Sequence, residues 1–158
     1  MNFQPGKVRI KENNQLAITV ESVMSRRFVW VSSSANIEEA IEIIVKSNQT
    51  GAPVLNQNKE PVGFLSQKDC LKLATQLRYF NSYPGFVSDY MTQNVVVFHR
   101  KIKLFDAINS FIEKWFHAYP IINDRNQVMG LLTRKKVLEY VNSINQTSWY
   151  NKQEATSY

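Results

Sequence analysis

The sequence predicts an α/β protein of the α+β type, built from two β-α-β-β-α units that are related by a pseudo-two-fold axis. The main observation is an internal repeat: residues 20–77 align with residues 87–144 at a constant offset of 67 and without a gap. A repeat of this kind dictates the architecture before any local pattern does. Two copies are too few for a solenoid, so we expect a pair of units that share one core. Identical pairs include Val20/Val87, Met24/Met91, Pro53/Pro120, Asn56/Asn123, Gly63/Gly130 and Leu71/Leu138.

The first repeat shows the element order most clearly. The β-prone run at 28–31 predicts a strand, and Asn36 with Glu39 three residues later is typical of a helix start with a capping box. Residues 52–55 and 62–65 predict two strands around a polar turn, and a second helix follows. Because Pro53 has no N–H, we expect it near a strand start or on an edge. The predicted apolar face of the first helix has helical spacing: Ile37, Ala40, Ile41, Ile44 and Val45.

The second repeat gives the same order. Strands are predicted at 95–98, 119–122 and 128–132, and a last helix from Thr133 to about Ile144. We divide the chain into an N-terminal segment (1–19), repeat one (20–80), an aromatic connector (81–86), repeat two (87–144) and a polar tail (145–158). The connector is expected to pack across the repeats or at a subunit contact. The tail, with Trp149 and Tyr150, is expected to be mobile or ordered only against a partner. The predicted face of the first helix in this repeat comprises Leu104, Ala107, Ile108, Phe111, Ile112 and Trp115.

Composition limits the class of protein. The 158 residues are 44% hydrophobic and 20% charged, which is typical of a globular domain. No run of 18 apolar residues is present, and the first residues lack the apolar segment of a secretory signal. With a single cysteine, Cys70, no intrachain disulfide can form, so we expect a cytoplasmic protein. The net charge of +6 favours anionic partners, although scattered lysines also serve solubility.

Catalytic and metal-binding patterns are missing from the sequence. Cys70, His99 and His117 do not have the spacing of a metal site. There is no phosphate-binding loop, dinucleotide glycine motif or nucleophile elbow, and the aspartates are dispersed. We therefore expect a protein that is not an enzyme and that has no covalent cofactor.

The motifs that repeat at the offset of 67 resemble a tandem pair of CBS domains, also called a Bateman module. Gly-Ala-Pro-Val-Leu-Asn and Ala-Tyr-Pro-Ile-Ile-Asn-Asp resemble the family's proline strand. The segment 63–69, Gly-Phe-Leu-Ser-Gln-Lys-Asp, and its second copy at 130–136 resemble the segment that often binds nucleotide. The resemblance covers residues 20–144. It implies two units paired through their sheets, two clefts that bind adenosine compounds, and assembly into flat homodimers.

Ser66 and Asp69 form the candidate site that the resemblance indicates most clearly. In a family-like site they hold the ribose hydroxyls, since a carboxylate accepts two hydrogen bonds from a diol, and free N–H groups at the helix start meet phosphate. From the residues alone, the same pair is equally well explained as a helix cap. The resemblance favours a ligand.

Repeat two departs from this pattern, because Thr133 is kept while Lys136 stands where repeat one has Asp69. A lysine cannot accept a hydrogen bond from a diol. With Arg134 it could bind phosphate, or these cations could simply be solvated. His117 is a further candidate for phosphate, and a structural role is its alternative.

The resemblance also implies an adenine pocket in repeat one, edged by Gly51, Ala52 and Val54 with Val31 on the facing strand. Ordinary strand core is the alternative for each of them. In repeat two the matching places carry Tyr119 and Phe98, whose rings could stack on a base but more readily fill the cavity. This favours one working site over two.

Three functions compete at this stage. The first is a regulatory module that binds AMP, ADP, ATP or S-adenosylmethionine between the repeats and signals to an unidentified partner protein. The second is a ligand-free scaffold for protein-protein interaction. The third is nucleic-acid binding, which we rank last because the basic residues lack a recognised motif.

Overall fold

The computed structural model describes residues 18–80 and 83–154, with residues 77–80 and 145–154 described by their backbone alone. Each repeat has the predicted order of strand, helix, strand, strand and helix, which confirms the fold class. The elements are α1 (Val20–Val23), β1 (Val31–Ser32), α2 (Ile37–Ser47), β2 (Gly51–Leu55), β3 (Pro61–Ser66), α3 (Gln67–Phe80), a 3-10 helix (Val87–Asp89), β4 (Phe98–His99), α4 (Leu104–Glu113), β5 (Ala118–Ile122), β6 (Val128–Thr133) and α5 (Arg134–Glu154).

Two three-stranded sheets carry the helices, in the orders β1-β2-β3 and β4-β5-β6. In each, the first pair is parallel and the second antiparallel. Strand β1 begins three residues later than predicted, because the preceding run is held by a side chain instead of a sheet. The Val29 N–H donates to Oε1 of Gln49 (2.8 Å), and Nε2 of Gln49 donates to the Val29 carbonyl (3.4 Å). Strand β4 is displaced in the same way relative to the predicted 95–98.

Pro53 lies in the central strand, so the prediction of a strand start or an edge was wrong. Its partner across the hairpin is Phe64, whose N–H and carbonyl both bond to Thr92 on the opposite side. Pro53 and Phe64 are therefore a pair without mutual hydrogen bonds, and the nitrogen of Pro53 points towards β1. Since β1 begins opposite Val54, no ladder bond is lost at Pro53.

The helices follow the predicted faces only in part. Ile37, Ala40 and Ile44 are buried in α2, but Val45 is 72% exposed. In α4 the buried residues are Leu104, Ala107 and Phe111, while Ile112 and Trp115 are exposed and the helix ends at Glu113. The last helix continues to Glu154, so the predicted boundary near Ile144 was wrong, and the described part of the tail is helical.

The two repeats exchange their first segments. Helix α1, from repeat one, packs with α4, β5 and β6 of repeat two, and Val87 and Tyr90 of repeat two pack in the core of repeat one. Two buried clusters result, which corrects the expectation of one shared core. Their buried members are Val20, Val23, Met24, Leu104, Ala107, Phe111, Tyr119, Ile121, Leu132 and Val137 in one, and Val31, Ile37, Ala40, Ile44, Ala52, Val54, Leu65, Leu73, Val87 and Tyr90 in the other.

Two pairs of identical residues, Gly63/Gly130 and Met24/Met91, form the contacts between each hairpin and the first segment of the other repeat. A Cβ on Gly63 would lie 2.6 Å from Sδ of Met91 and 2.9 Å from the Thr92 carbonyl oxygen, and a Cβ on Gly130 would collide with Met24. Main-chain bridges Phe64/Thr92 and Ser25/Leu131 accompany these contacts. Glycine is required here because the methionine of the other repeat lies directly on the strand.

The described part of the aromatic connector, residues 83–86, packs on repeat one. The Gly85 carbonyl accepts a hydrogen bond from the Ile37 N–H (3.1 Å) at the start of α2, and Nδ2 of Asn36 donates to the Tyr83 hydroxyl (3.3 Å). Asn36 caps α2 as predicted, its side-chain oxygen accepting from the Glu38 N–H (2.8 Å), but no hydrogen bond joins Asn36 to the Glu39 side chain, so the predicted capping box does not form. The other predictions for residues 1–17, 81–82 and 155–158, and for the side chains of Trp149 and Tyr150, lie outside the described residues.

Candidate functional site

A cavity of about 800 Å³ lies between the two units, a volume in the range of small-molecule sites. Thr50 of repeat one and His117, its equivalent in repeat two, both line it. The cavity is therefore bordered by both repeats. Its other lining residues come from β3 and α3, the segment before β4, and the loop before β5: Phe64, Ser66, Gln67, Lys68, Asp69, Leu71, Lys72, Thr92, Asn94, Val95, Val96, Trp115, Phe116 and Ala118.

Ser66 and Asp69 form a reciprocal cap at the start of α3, on the cavity wall. The N–H of Asp69 donates to Oγ of Ser66 (3.1 Å). Oδ2 of Asp69 accepts from the N–H (3.0 Å) and the hydroxyl (2.6 Å) of Ser66. Its Oδ1 accepts from Nζ of Lys72 (2.9 Å). A carboxylate has about four acceptor positions, so Asp69 keeps one position, on Oδ1, for a ligand.

The environment of Asp69 favours its charged form. The residue is only 7% exposed, and burial raises the pKa of its carboxyl group. The hydroxyl of Ser66, the ammonium of Lys72 and the N–H of Ser66 lower that pKa by more, so the net pKa lies below its ordinary value. Asp69 is therefore a carboxylate at neutral pH and acts as a hydrogen-bond acceptor.

The repeat-two equivalents of this pair lie elsewhere. Thr133 accepts a hydrogen bond from the Lys136 N–H (3.1 Å), and Nζ of Lys136 pairs with Glu139 (3.3 Å). Neither Thr133 nor Lys136 lines the large cavity. Lys136 contributes instead to a small hollow of about 240 Å³ with Ser22, Val23, Glu139 and Tyr140. The ion pair of α3 is thus repeated in α5 with the charges exchanged.

Arg134 is held against the protein rather than directed into the cavity. Its guanidinium donates to the Lys114 carbonyl (3.2 Å). The backbone N–H of Arg134 donates to the His117 carbonyl (3.2 Å). Both acceptors belong to the loop that connects α4 to β5. In repeat one the side chain of Gln67 also donates to the preceding loop, but to the Gln49 carbonyl (3.0 Å), whose repeat-two equivalent is Phe116 and not Lys114.

The predicted adenine edge is not brought to the cavity. Val31, Ala52 and Val54 are buried in the core of repeat one, and Gly51 is covered by Phe64 and Leu65. None of the four lines the large cavity. Of the ten predicted site residues, only Ser66, Asp69 and His117 do so.

Tyr119 fills the corresponding position in repeat two. It is fully buried, and its ring centroid lies 4.4 Å from Phe98, 4.7 Å from Phe111 and 5.7 Å from Phe116. The prediction that bulky rings fill this space agrees with the structure. Its counterpart in repeat one is Ala52, which shows how far the two cores differ.

Several residues of the cavity wall were missed by sequence reasoning. Lys72 could have been found, because a lysine three positions after an aspartate shares its helix face. Trp115 was assigned to the core as part of an apolar helical face. Its 92% exposure arises because α4 ends two residues earlier. Thr50, Asn94 and Val96 carry no local signal.

Metal binding, membrane insertion and thiol chemistry have little support among the described residues. They contain no group of three or more histidine, cysteine, aspartate or glutamate side chains that could hold a metal ion. No described helix combines the length and apolar character needed to span a bilayer. Cys70 is half-buried, and burial together with the charge of Asp69 raises the pKa of its thiol, so it is a weak nucleophile.

Comparison with known proteins identifies the family. A sequence model of the CBS domain matches residues 20–75 and 87–143, the two repeats found at the offset of 67. The chain therefore belongs to the CBS domain family, as a tandem pair of repeats.

Solved structures of CBS pairs share the fold. The chain is similar to CBSX2 of Arabidopsis thaliana in complex with AMP, with a TM-score of 0.72, 30% identity, and coverage of 80% of this chain and 98% of that one. The CBS pair of MJ0100 in complex with 5'-methylthioadenosine and S-adenosylmethionine gives a TM-score of 0.69. That pair is 21% identical, covers 78% of this chain and 99% of that one, and shows the fold alone.

Curated relatives are longer than the matched region. MJ1225 of Methanocaldococcus jannaschii is 22% identical, and the alignment covers 78% of this chain and 43% of that protein. For chloroplastic CBSX2 of Arabidopsis thaliana the identity is 28%, over 68% of this chain and 56% of the relative. An inosine-5'-monophosphate dehydrogenase of Aquifex aeolicus matches over only 24% of its length.

Proposed function

We propose that the chain is a regulatory module, not an enzyme, that binds an adenine nucleotide or a related adenosyl ligand in the large cavity and signals to a partner protein. One observation carries the proposal: Asp69, a buried carboxylate with one acceptor position left, lies on a cavity that both repeats line. AMP in the related CBSX2 structure supports the ligand class.

Ribose binding requires a change at Lys72. A vicinal diol donates two hydrogen bonds, and Asp69 has one free acceptor position while Lys72 occupies Oδ1. We expect the diol to displace Lys72 from Oδ1. The Lys72 side chain is 58% exposed, so it can turn towards a phosphate group of the same ligand.

The charges around the cavity favour a phosphorylated ligand. Two lysines, Lys68 and Lys72, line it with a single carboxylate, Asp69. AMP, ADP or ATP would meet an excess of cations, whereas the sulfonium of S-adenosylmethionine would be repelled by them. We therefore expect phosphorylated adenosines to bind in preference to S-adenosylmethionine.

Signalling follows if the ligand prefers one arrangement of the two units. The cavity is lined by Ser66 and Asp69 of repeat one and by Trp115 and His117 of repeat two, so a ligand between them bridges both. A ligand shifts a conformational equilibrium only by its difference in affinity for the two states. Closure of the cavity would supply that difference.

Isothermal titration calorimetry tests the proposal. AMP, ADP, ATP and S-adenosylmethionine are titrated into nucleotide-free wild type, Asp69→Asn and Asp106→Asn. Asp106 is also an acid in the first turn of a helix but does not line the cavity. We expect saturable binding of about one nucleotide per chain, weakened by Asp69→Asn and unchanged by Asp106→Asn. Wild type that binds none of the four ligands would overturn the proposal.

A ligand-free scaffold is the alternative, and the filled core of repeat two favours it for that half of the molecule. We also retain the homodimer as a proposal, supported by the exposed and repeat-equivalent Val45 and Ile112. Ile112→Glu would then yield a monomer by light scattering, while Glu113→Gln would not. We propose a cytoplasmic location, and nucleic-acid binding remains the last-ranked alternative.

A further inference from the structure

Trp115 is the most exposed of the large apolar side chains in the described part of the chain, and it lies on the cavity that holds Asp69. An exposed indole at the wall of a cavity has a large aromatic face without a partner. Such a face is a ready surface for a planar ring, because stacking on aromatic side chains tolerates any base.

The loop that carries Trp115 is fixed at both ends. The Arg134 guanidinium donates to the Lys114 carbonyl, before the indole, and the Arg134 backbone N–H donates to the His117 carbonyl, after it. Phe116 packs edge-on against the buried ring of Tyr119. The backbone that presents Trp115 is thus preorganised, which reduces the entropy that a ligand would otherwise lose in ordering it.

The space elsewhere in repeat one is closed to a base. Ala52 and Val54 are fully buried, and Gly51 is in contact distance of Phe64 and Leu65. The apolar wall of the open cavity consists of Phe64, Leu71, Val95, Val96, Trp115 and Phe116. Among these residues, Trp115 has the only indole ring and the largest exposed fraction of its side chain.

From this arrangement we propose that Trp115 stacks on the base of the bound nucleotide, and that Arg134 is a positioning residue that holds the Trp115 loop. The inference rests on the proposed function, since it assigns the base of the same ligand whose ribose meets Asp69. It gives Arg134 a role through the loop instead of the phosphate contact expected from the sequence.

The first test compares AMP with ribose 5-phosphate, which has the sugar and the phosphate but no base. Both ligands are titrated calorimetrically into wild type, Trp115→Ala, Trp115→Phe and Trp30→Ala. Binding of ribose 5-phosphate is also followed by NMR chemical shifts. Trp30 is a half-exposed indole outside the cavity and serves as the matched control. We expect Trp115→Ala to weaken AMP roughly ten-fold or more, as for loss of a base–aromatic stack. The affinity for ribose 5-phosphate should be the same in Trp115→Ala as in wild type. Trp115→Phe should bind AMP with an affinity close to that of wild type, and Trp30→Ala should leave the AMP affinity unchanged.

The second test separates positioning from a general structural role. Arg134→Gln should keep more AMP affinity than Arg134→Ala, because the glutamine at the equivalent position 67 also donates to a carbonyl of the preceding loop, that of Gln49. Arg134→Ala should lower the affinity for AMP in the wild-type background. In the Trp115→Ala background it should have no further effect, because Arg134 acts only by positioning the indole. An equal loss in both backgrounds would overturn the role given to Arg134.

The outcomes distinguish the two proposals. If wild type binds AMP and Trp115→Ala binds it equally well, the stacking role is overturned while the nucleotide-binding function stands. If Trp115→Ala weakens AMP and ribose 5-phosphate alike, the indole shapes the site without stacking, and the inference is again wrong. If wild type binds none of the adenosine compounds, both proposals are overturned.

Discussion

At the scale of single residues, one difference between the repeats gives the two second helices different chemistry. Asp69 in α3 and Lys136 in α5 are equivalent positions, and each pairs with the residue three positions later, Lys72 and Glu139. The cap before them also differs. Ser66 both accepts from and donates to Asp69, whereas Thr133 only accepts from the Lys136 N–H among the contacts described.

Removal of the two caps should therefore have unequal effects. Ser66→Ala should lower the free energy of unfolding by about 1–2 kcal/mol and Thr133→Ala by about 0.5–1 kcal/mol, within the range for N-cap residues. Ser66→Ala loses more because Asp69 also loses the hydroxyl that donates to it. Urea denaturation followed by circular dichroism measures both, and equal losses would contradict the cap geometry.

Asp69 should also make stability depend on pH. Its pKa is lowered in the folded protein, so its ionisation stabilises the fold above the unfolded-state pKa of about 4. This stabilisation is lost as the pH falls through the folded-state pKa. Between pH 6 and pH 2, wild type should lose more stability than Asp69→Asn, which cannot titrate. Parallel curves for the two proteins in urea denaturation would refute the contribution of Asp69.

At the scale of elements, each antiparallel hairpin is covered by a segment from the other repeat. The two glycines at the covered positions differ in what a methyl group would meet. At Gly63 it would approach the Thr92 backbone carbonyl as well as Met91, while at Gly130 its nearest neighbours are atoms of the Met24 side chain. A methionine can change rotamer, whereas the Thr92 carbonyl is held by the Phe64 N–H.

Gly63→Ala should consequently destabilise the protein by about 1–3 kcal/mol, the usual penalty for overpacking, and Gly130→Ala by less. The two are compared by chemical denaturation. Because Met24 is itself buried, Met24→Ala should cost less stability in the Gly130→Ala background than in wild type, since there it also removes the atoms that collide. If Gly130→Ala is the more harmful of the two, the assignment of the rigid contact to Gly63 is wrong.

The elements also show what could be predicted from the sequence. The repeat gave the element order, and Asn56 and Asn123 are identical because each side-chain oxygen accepts two backbone N–H groups of its turn. The strand at 28–31 was misplaced, because β propensity does not show that Gln49 will bond to Val29. The cavity was only partly predicted, since Trp115 and Asn94 come to line the same cavity as Asp69 through tertiary packing that no local pattern encodes.

At the scale of the whole molecule, the exchange of first segments joins the two cores. Val20 of repeat one and Val87 of repeat two are both fully buried in the core of the opposite repeat. Helical periodicity cannot tell which core such a short segment will enter, so the exchange was not predicted. Neither core is complete without the other repeat, and neither can unfold without exposing side chains of its partner.

The exchange predicts one cooperative unfolding transition for the two repeats. Val20→Ala and Val87→Ala each remove two buried methyl groups and should each lower the free energy of unfolding by about 2 kcal/mol. Although the two valines lie in different cores, both substitutions should shift the whole transition.

Two signals measure this transition. Circular dichroism reports on the complete fold, and the fluorescence of Trp30, in a Trp115→Phe/Trp149→Phe background, reports on repeat one. Within wild type and within each variant, the circular dichroism and Trp30 signals are expected to share one urea midpoint, because each core contains side chains of the other repeat. A Val20→Ala variant in which the Trp30 signal keeps the wild-type midpoint while circular dichroism separates into two steps would show that the units fold independently.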